Sequence, residues 1–277
     1  MKKALKIALP VIGTAAAAVA ATAFLIAPGR AKEEQKAVFY GRNIAHRGLH
    51  TKDESIPENS LEAFEAAVDN GYGIELDVHL TADDRVVVMH DDNLERMCGV
   101  DCCIEDLTYA ELMEFRLARS NSKIPLFSEV LQLVGGKVPI VLEIKHGIRN
   151  RELNERTYEL VRLYDGDICV ESFDPFIMRW WRMNAPEVMR GQLSPPYLQS
   201  KQWLNRVYAF VLSNCLTNFL CRPHFIAYGL EGKRPLIVRL CEKMGAMKFA
   251  WTSHDWIHEL DNDVVIFEYY RPRTKYK

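Results

Sequence analysis

Short apolar runs separated by helical patterns recur from residue 43 to residue 252, and this alternation restricts the fold more than any other feature. Extended runs are expected at 43–46, 73–78, 86–90, 139–144, 167–172, 189–193, 225–228 and 248–252. Several are apolar almost throughout, as strands buried on both faces are. The clearest intervening helix covers 60–70. There Leu61, Phe64 and Val68 recur at helical spacing, Asn59 and Glu62 offer a capping box, and Gly71 supplies a stop. Strand and helix in repeated alternation predict an α/β fold with a parallel sheet closed into a TIM (β/α)8 barrel. The 277 residues accommodate one such barrel of about 250. A ninth candidate at 264–269 exceeds the count, so it is either a terminal addition or evidence that one of the eight is misassigned.

Composition narrows the partners. The chain is 48% hydrophobic and 26% charged, with a formal net charge of -2 from 35 basic and 37 acidic residues. No polybasic run is present, which argues against nucleic acid as a partner. The N-terminus stands apart. Lys2, Lys3 and Lys6 precede an uncharged stretch over 7–29, and the next charge is Arg30. About 22 helical residues would span roughly 33 Å, enough for a bilayer core. Two readings compete: an uncleaved transmembrane anchor, or a signal peptide cut after Ala21-Thr22-Ala23. Phe24-Leu25-Ile26 prolongs the apolar run and favours the anchor.

The chain therefore divides into a membrane-anchor or signal segment with a linker over 1–36, and a barrel domain over 37–277. A cell-membrane protein with an extracytoplasmic barrel is expected, with secretion as the alternative. Basic residues flank both ends of the stretch and leave topology open; the oligomeric state is open too. Seven cysteines cannot all pair, and Cys98, Cys102 and Cys103 crowd one loop without zinc-site spacing. Cys169, Cys215 and Cys241 read as buried filler, and few or no disulfides are expected. Residues 91–130 form a long excursion. The apolar stretch 207–221 is too short to span a membrane; it reads as a buried helix, or as one resting on a lipid surface.

Chemistry concentrates in GIELDVHLTADDRVVVMHDD, residues 73–92. Residues two apart on a strand face the same way, so Glu75 and Asp77 project together. Glu143 and Lys145 repeat the arrangement within VPIVLEIKH. Buried acids are costly unless paired or metal-bound. Three carboxylates with one lysine leave excess negative charge, which a divalent cation relieves. All-oxygen donors favour Ca2+ or Mg2+ over zinc. His46 and His90, read as closing the first and third strands beside the acids, suit a general acid and base. Arg47 offers a fork of donors for phosphate oxygens. Together these groups describe a phosphodiester-cleaving site.

The motifs IAHRG at 44–48, PENS at 57–60, ELDVHLTADD at 75–84, VVVMHDDNLERMCG at 86–99, EIK at 143–145, ESFDP at 171–175 and FAWTS at 249–253 resemble the glycerophosphodiester phosphodiesterase family in order and spacing. The resemblance runs from about residue 43 to the C-terminus. It implies a TIM barrel that uses calcium or magnesium to hydrolyse glycerophosphodiesters to glycerol 3-phosphate and an alcohol. It also implies residue roles. Glu75, Asp77 and Glu143 would hold the metal, and His46 and His90 would form the acid–base pair. Arg47 and Lys145 would contact phosphate, Trp251 would line the substrate pocket, and Glu58 and Asn59 would support the site. Departures from the family pattern fall at Asp83-Asp84, where Asp-Gly is usual, and at Met97 and Cys98. His224, before the seventh expected strand, and His254 depart as well; both are expected at the rim, where they would affect head-group choice. Two other readings stay open: a lysophospholipase D-like enzyme acting on lysolipids, and a barrel that binds phosphodiesters without cleaving them.

Overall fold

A computed structural model describes residues 17–196 and 205–277. Eight parallel strands close into a barrel: β1 (Arg42–Ala45), β2 (Gly73–Leu80), β4 (Ile140–Ile144), β5 (Ile168–Ser172), β6 (Met189–Ser194), β7 (Phe225–Gly229), β8 (Met247–Ser253) and β9 (Val264–Phe267). Closure comes from β1, which pairs in parallel with both β2 and β9. The ninth strand, β3 (Val86–Val88), runs antiparallel to β2 and lies outside the ring.

This corrects the strand assignment made from sequence. The run at 264–269 is the eighth barrel strand, and the run at 86–90 is the return arm of a hairpin. The reason is connection length. Only five residues separate Leu80 from Val86, whereas a parallel crossover needs a dozen or so. The turn places Asp84 at φ 61°, a left-handed conformation that Asp tolerates better than most residues.

Alternation along the strands sorts side chains between two cores. Ile74, Leu76 and Val78 of β2 face outward and pack with Phe64, Val130, Val134 and Trp181 from the surrounding helices. Ile44, Val141, Cys169, Met189, Phe225, Phe249 and Ile266 face inward and fill the barrel. Near its middle the Phe225 and Phe249 rings stack, with centroids 4.0 Å apart. Gly191 of β6 makes room for them, since a Cβ there would meet the Phe225 ring at 2.0 Å. Helix α1 (Glu33–Phe39) buries Phe39 against Phe249 from below. This packed floor leaves the C-terminal mouth as the open end of the barrel interior, where barrel enzymes hold their sites.

Helix α2 (Leu61–Asp69) is capped by Ser60, whose hydroxyl accepts from the Ala63 N–H. Asn59 was expected in that place. It sits instead at φ 56° and turns its side chain into the mouth. The excursion after β3 builds a small core of its own from Met89, Leu94, Met97, Ile104 and Leu117. The stretch 207–221 is two helices, α3 (Arg206–Ser213) and α4 (Asn218–Cys221). Helix α3 buries Ala209 and Leu212 yet exposes Val207, Tyr208 and Phe210. His224 is not at the rim. It precedes β7, at the opposite end of the barrel, where its Nδ1 accepts from the Arg190 N–H. All seven cysteines are free thiols.

Residues 17–26 are helical, and their C-terminal end is tied to the barrel. Ile26 is 2% exposed among Cys215, Ile226, Tyr228, Val238 and Cys241. The Asn218 amide donates to the Ile26 carbonyl, and the Arg222 guanidinium lies over the Phe24 ring. Contacts with the barrel thus begin before residue 37, and the 36/37 division falls inside α1. Among the described residues, no helix is long and apolar enough to cross a membrane. Residues 1–16, which carry much of the expected anchor, lie outside the described residues.

Candidate active site

Strand register builds an acidic row at the mouth. Asp77 of β2 stands opposite Glu143 of β4, and Glu143 opposite Glu171 of β5. Glu75 lies one inward-facing position below Asp77. Oxygens of Glu75, Asp77 and Glu143 all lie within 4.8 Å of one another, and all three residues are buried. Oxygens bound to a single calcium at 2.3–2.6 Å stand at most about 5 Å apart, so the cluster fits one hard cation.

The chain's own cations neutralise this cluster incompletely. Lys145 Nζ lies 2.8 Å from Asp77 Oδ1 and 2.7 Å from Glu143 Oε1. Arg47 Nε is 3.6 Å from Asp77 Oδ2, and the Asn59 amide donates to the same oxygen at 2.8 Å. Burial opposes ionisation of Asp77, but Lys145 and Arg47 outweigh it and hold the carboxyl well below the usual range. Glu143 is pushed up to about 7 by burial and by Asp77, with Lys145 acting against both. Burial, then Asp77 and Glu143, push Glu75 well above an ordinary carboxyl. A bound divalent ion would relieve this repulsion.

Each proposed proton carrier has a carboxylate behind it. His46 follows β1, and its Nδ1 lies 3.3 Å from Glu268 Oε1. An ionised carboxylate only accepts, so the proton sits on Nδ1 and the free Nε2, 3.9 Å from Glu75 Oε2, faces the mouth. His50 Nε2 holds the same Glu268 oxygen at 3.0 Å. Burial keeps His46 neutral at pH 7, and the hydrogen bonds from the two imidazoles hold Glu268 down despite its own burial. On the other side, His90 Nδ1 is 2.6 Å from Asp91 Oδ1, and burial lowers His90 to about 4. The hairpin delivers this group: the Met89 N–H donates to the Asp77 carbonyl, setting His90 beside the cluster.

Arg47 adopts φ 53°, a strained setting for a residue with a Cβ. It turns the Arg47 N–H onto Glu75 Oε2 at 2.9 Å. The next residue, Gly48, is also left-handed, and a Cβ there would meet Ala63 of α2 at 2.8 Å. The Arg47 guanidinium bonds Glu58 at 2.8 Å, Glu58 bonds Arg96, and Arg96 Nε meets Asp91 at 2.5 Å. This chain of charged hydrogen bonds links the guanidinium to the carboxylate behind His90.

A cavity of about 100 Å³ opens between these groups, lined by His46, Arg47, Glu75, His90, Glu143, Glu171 and Thr252, with Phe173, Leu193, Trp251 and Ile266 as its apolar wall. Trp251 packs edge-on to Phe173, and its indole N–H is held by the Ala227 carbonyl. The structure thus brings together the eight residues expected to hold metal, carry protons, contact phosphate or line the pocket, His46, Arg47, Glu75, Asp77, His90, Glu143, Lys145 and Trp251, with Glu58 and Asn59 bonded to Arg47 and Asp77. Glu268, His50, Asp91 and Arg96 were not singled out. Asp91 sits beside His90 in sequence and was within reach of the motif. Glu268 carried no signal, because it lies in the run whose place in the barrel was unresolved. His254 is at the rim, stacked on Tyr269.

The fold and the acidic mouth place the chain in the class of TIM-barrel phosphodiesterases. An Oleispira antarctica phosphodiesterase in complex with the product sn-glycerol-3-phosphate superposes with a TM-score of 0.68 at 22% identity, covering 84% of this chain and 94% of that one. A glycerophosphodiester phosphodiesterase from Thermotoga maritima superposes with a TM-score of 0.62 at 27% identity, covering 81% and 93%. Residues 46–270 match the sequence model of the Glycerophosphoryl diester phosphodiesterase family, and the chain belongs to that family. A glycerophosphodiester phosphodiesterase of Caldanaerobacter subterraneus subsp. tengcongensis is 29% identical over 221 residues, 76% of this chain and 84% of the relative. The human lysophospholipase D GDPD1 is 36% identical over 159 residues, 52% of this chain; the match spans about half, 49%, of that longer protein.

Proposed function

We propose that the chain hydrolyses glycerophosphodiesters to glycerol 3-phosphate and an alcohol, using Glu75, Asp77 and Glu143 to hold a divalent cation at the barrel mouth. The all-oxygen donor set supports calcium or magnesium. When bound, such an ion supplies positive charge that stabilises the phosphoryl oxygens and acidifies an attacking hydroxyl. Arg47 and Lys145 bind and orient the phosphate from two sides. One of His46 and His90, neutral, accepts the proton of the attacking oxygen at Nε2; the other enters the reaction as the imidazolium, which the carboxylate at its Nδ1 stabilises, and gives its Nε2 proton to the departing alkoxide as the bond to phosphorus breaks. Glu268 and Asp91 hold the rings with Nε2 toward the cavity. Trp251 and Phe173 wall off water on the far side.

The observation that carries this reading is the meeting of three carboxylates within 4.8 Å, flanked by two imidazoles that each have a carboxylate behind them. The test is hydrolysis of sn-glycero-3-phosphocholine by the purified chain. Chelation should abolish glycerol 3-phosphate release, and calcium or magnesium added back should restore it. Absence of turnover with either ion, on any glycerophosphodiester, would leave a binding barrel instead. His46→Ala should lose turnover while keeping cation affinity.

A second reading draws on the exposed Val207, Tyr208 and Phe210 of α3, whose buried Leu212 packs on Phe173 of the cavity wall. An apolar face so close to the mouth would suit a lysolipid chain, and release of lysophosphatidic acid from lysophosphatidylcholine would test it. For location, Lys2, Lys3 and Lys6 before the uncharged stretch support an N-terminal membrane anchor with an extracytoplasmic barrel. Recovery of the full chain in a carbonate-washed membrane fraction is the expected outcome. Recovery of a shortened chain in the medium would favour a cleaved signal peptide.

A further inference from the structure

The cavity has one carboxylate that the proposed chemistry leaves unused. Glu171 of β5 is 1% exposed, and its Oε2 is buried without a hydrogen-bond partner. A buried carboxyl oxygen left unpaired is costly, and this one lines the cavity. It stands outside the three-carboxylate cluster, which includes Glu75, Asp77 and Glu143 but not Glu171. In the acidic row it is the strand position beyond Glu143, on the side away from Asp77. Arg47 lies at the Asp77 end, and Lys145 bridges Asp77 and Glu143. A phosphate held between these two cations would leave room for the glycerol unit along the row, beside Glu171 and the Phe173–Trp251 wall. The cavity of about 100 Å³ holds about three waters' worth of volume, the scale of a three-carbon polyol.

We propose that Glu171 is a specificity residue, taking a hydrogen bond from the terminal, free 1-hydroxyl of the glycerol moiety and so selecting fully deacylated glycerophosphodiesters over lysolipids. The inference rests on the hydrolase reading above and names its substrate class. An acyl group on that hydroxyl removes the donor and leaves Glu171 unpaired in an enclosed site. A substrate that cannot satisfy a buried polar group is disfavoured by the cost of leaving that group unpaired. Gly191, opposite Glu171 on β6, adds no side chain that could reach the carboxylate from its other flank.

Three phosphodiesters test this: sn-glycero-3-phosphocholine, its 1-deoxy analogue, which keeps the 2-hydroxyl, and 1-acyl-lysophosphatidylcholine. Wild type should prefer the first over the 1-deoxy analogue by about 10- to 100-fold in kcat/KM. Glu171→Leu should reduce that preference to less than threefold, and Glu171→Gln, which keeps a polar oxygen, should retain most of it. Cation affinity, measured by calorimetry, should stay within threefold of wild type in both variants. An unchanged preference in Glu171→Leu, or a tenfold loss of cation affinity, overturns the inference. So does a wild type that turns over the diol and the 1-deoxy analogue equally, a result that needs no variant to fold. A wild type inactive on all three removes the hydrolase reading and this inference together; an active but indifferent one removes the inference alone.

Discussion

Removing Glu268 isolates the part played by the carboxylate behind His46. The side chain is mostly buried, accepts from His46 Nδ1 at 3.3 Å and from His50 Nε2 at 3.0 Å, and touches none of the three proposed metal ligands in the contacts described. A hydrogen bond to a charged group contributes roughly 1.5–3 kcal/mol. If that energy holds the His46 ring and its tautomer in the reactive state, Glu268→Ala should lower kcat by about 10- to 150-fold, at 1.36 kcal/mol per decade. Glu268→Gln keeps an acceptor without its charge, which weakens the bond to about half, so its loss should be nearer fivefold to tenfold. Phosphate binding runs through Arg47 and Lys145, so KM should change little. Glycerol 3-phosphate release can be followed with a coupled dehydrogenase, alongside calorimetric titration of the cation. A Glu268→Ala enzyme with kcat within twofold of wild type would refute the reasoning. A rise in KM at constant kcat would do so too, since it would make Glu268 a binding group.

Three further outcomes follow from burial and charge. In chelator, Glu75→Gln should be more stable than wild type at pH 7, because the raised carboxyl penalises folding above the unfolded value of about 4.5; thermal melts should shift upward. With cation present the order should reverse, and the variant should bind the ion at least tenfold more weakly. His224, lowered to about 3 by burial and by Arg190, stays neutral in the fold while the unfolded chain protonates below about 6.5. Its contribution is complete above that pH and declines toward pH 3, by about 2 kcal/mol at pH 5; His224→Gln should flatten this part of the stability profile in urea titrations. Ile26→Ala should cost about 2 kcal/mol or more in the same titrations if residues 24–31 are integral to the barrel, and nothing measurable if that segment is merely tethered.

The acid pair is legible in the chain alone, because alternation along a strand forces Glu75 and Asp77 to one face wherever that strand lies. So are the parallel α/β class, the two imidazoles, and the guanidinium and ammonium that flank the acids. Which runs close the ring emerges only once the strands pair. A five-residue turn makes 86–88 a hairpin arm, and the eighth barrel place falls to 264–267. The same closure brings Glu268, just after the last strand, against His46, just after the first, a separation of 222 residues. It sends His224 to the far end of the barrel, because a residue preceding a parallel strand lies opposite the mouth. Periodicity reports which way a side chain points within its own element. Partners across the ring are set by register and closure, which depend on every strand at once and so leave no local trace in the chain.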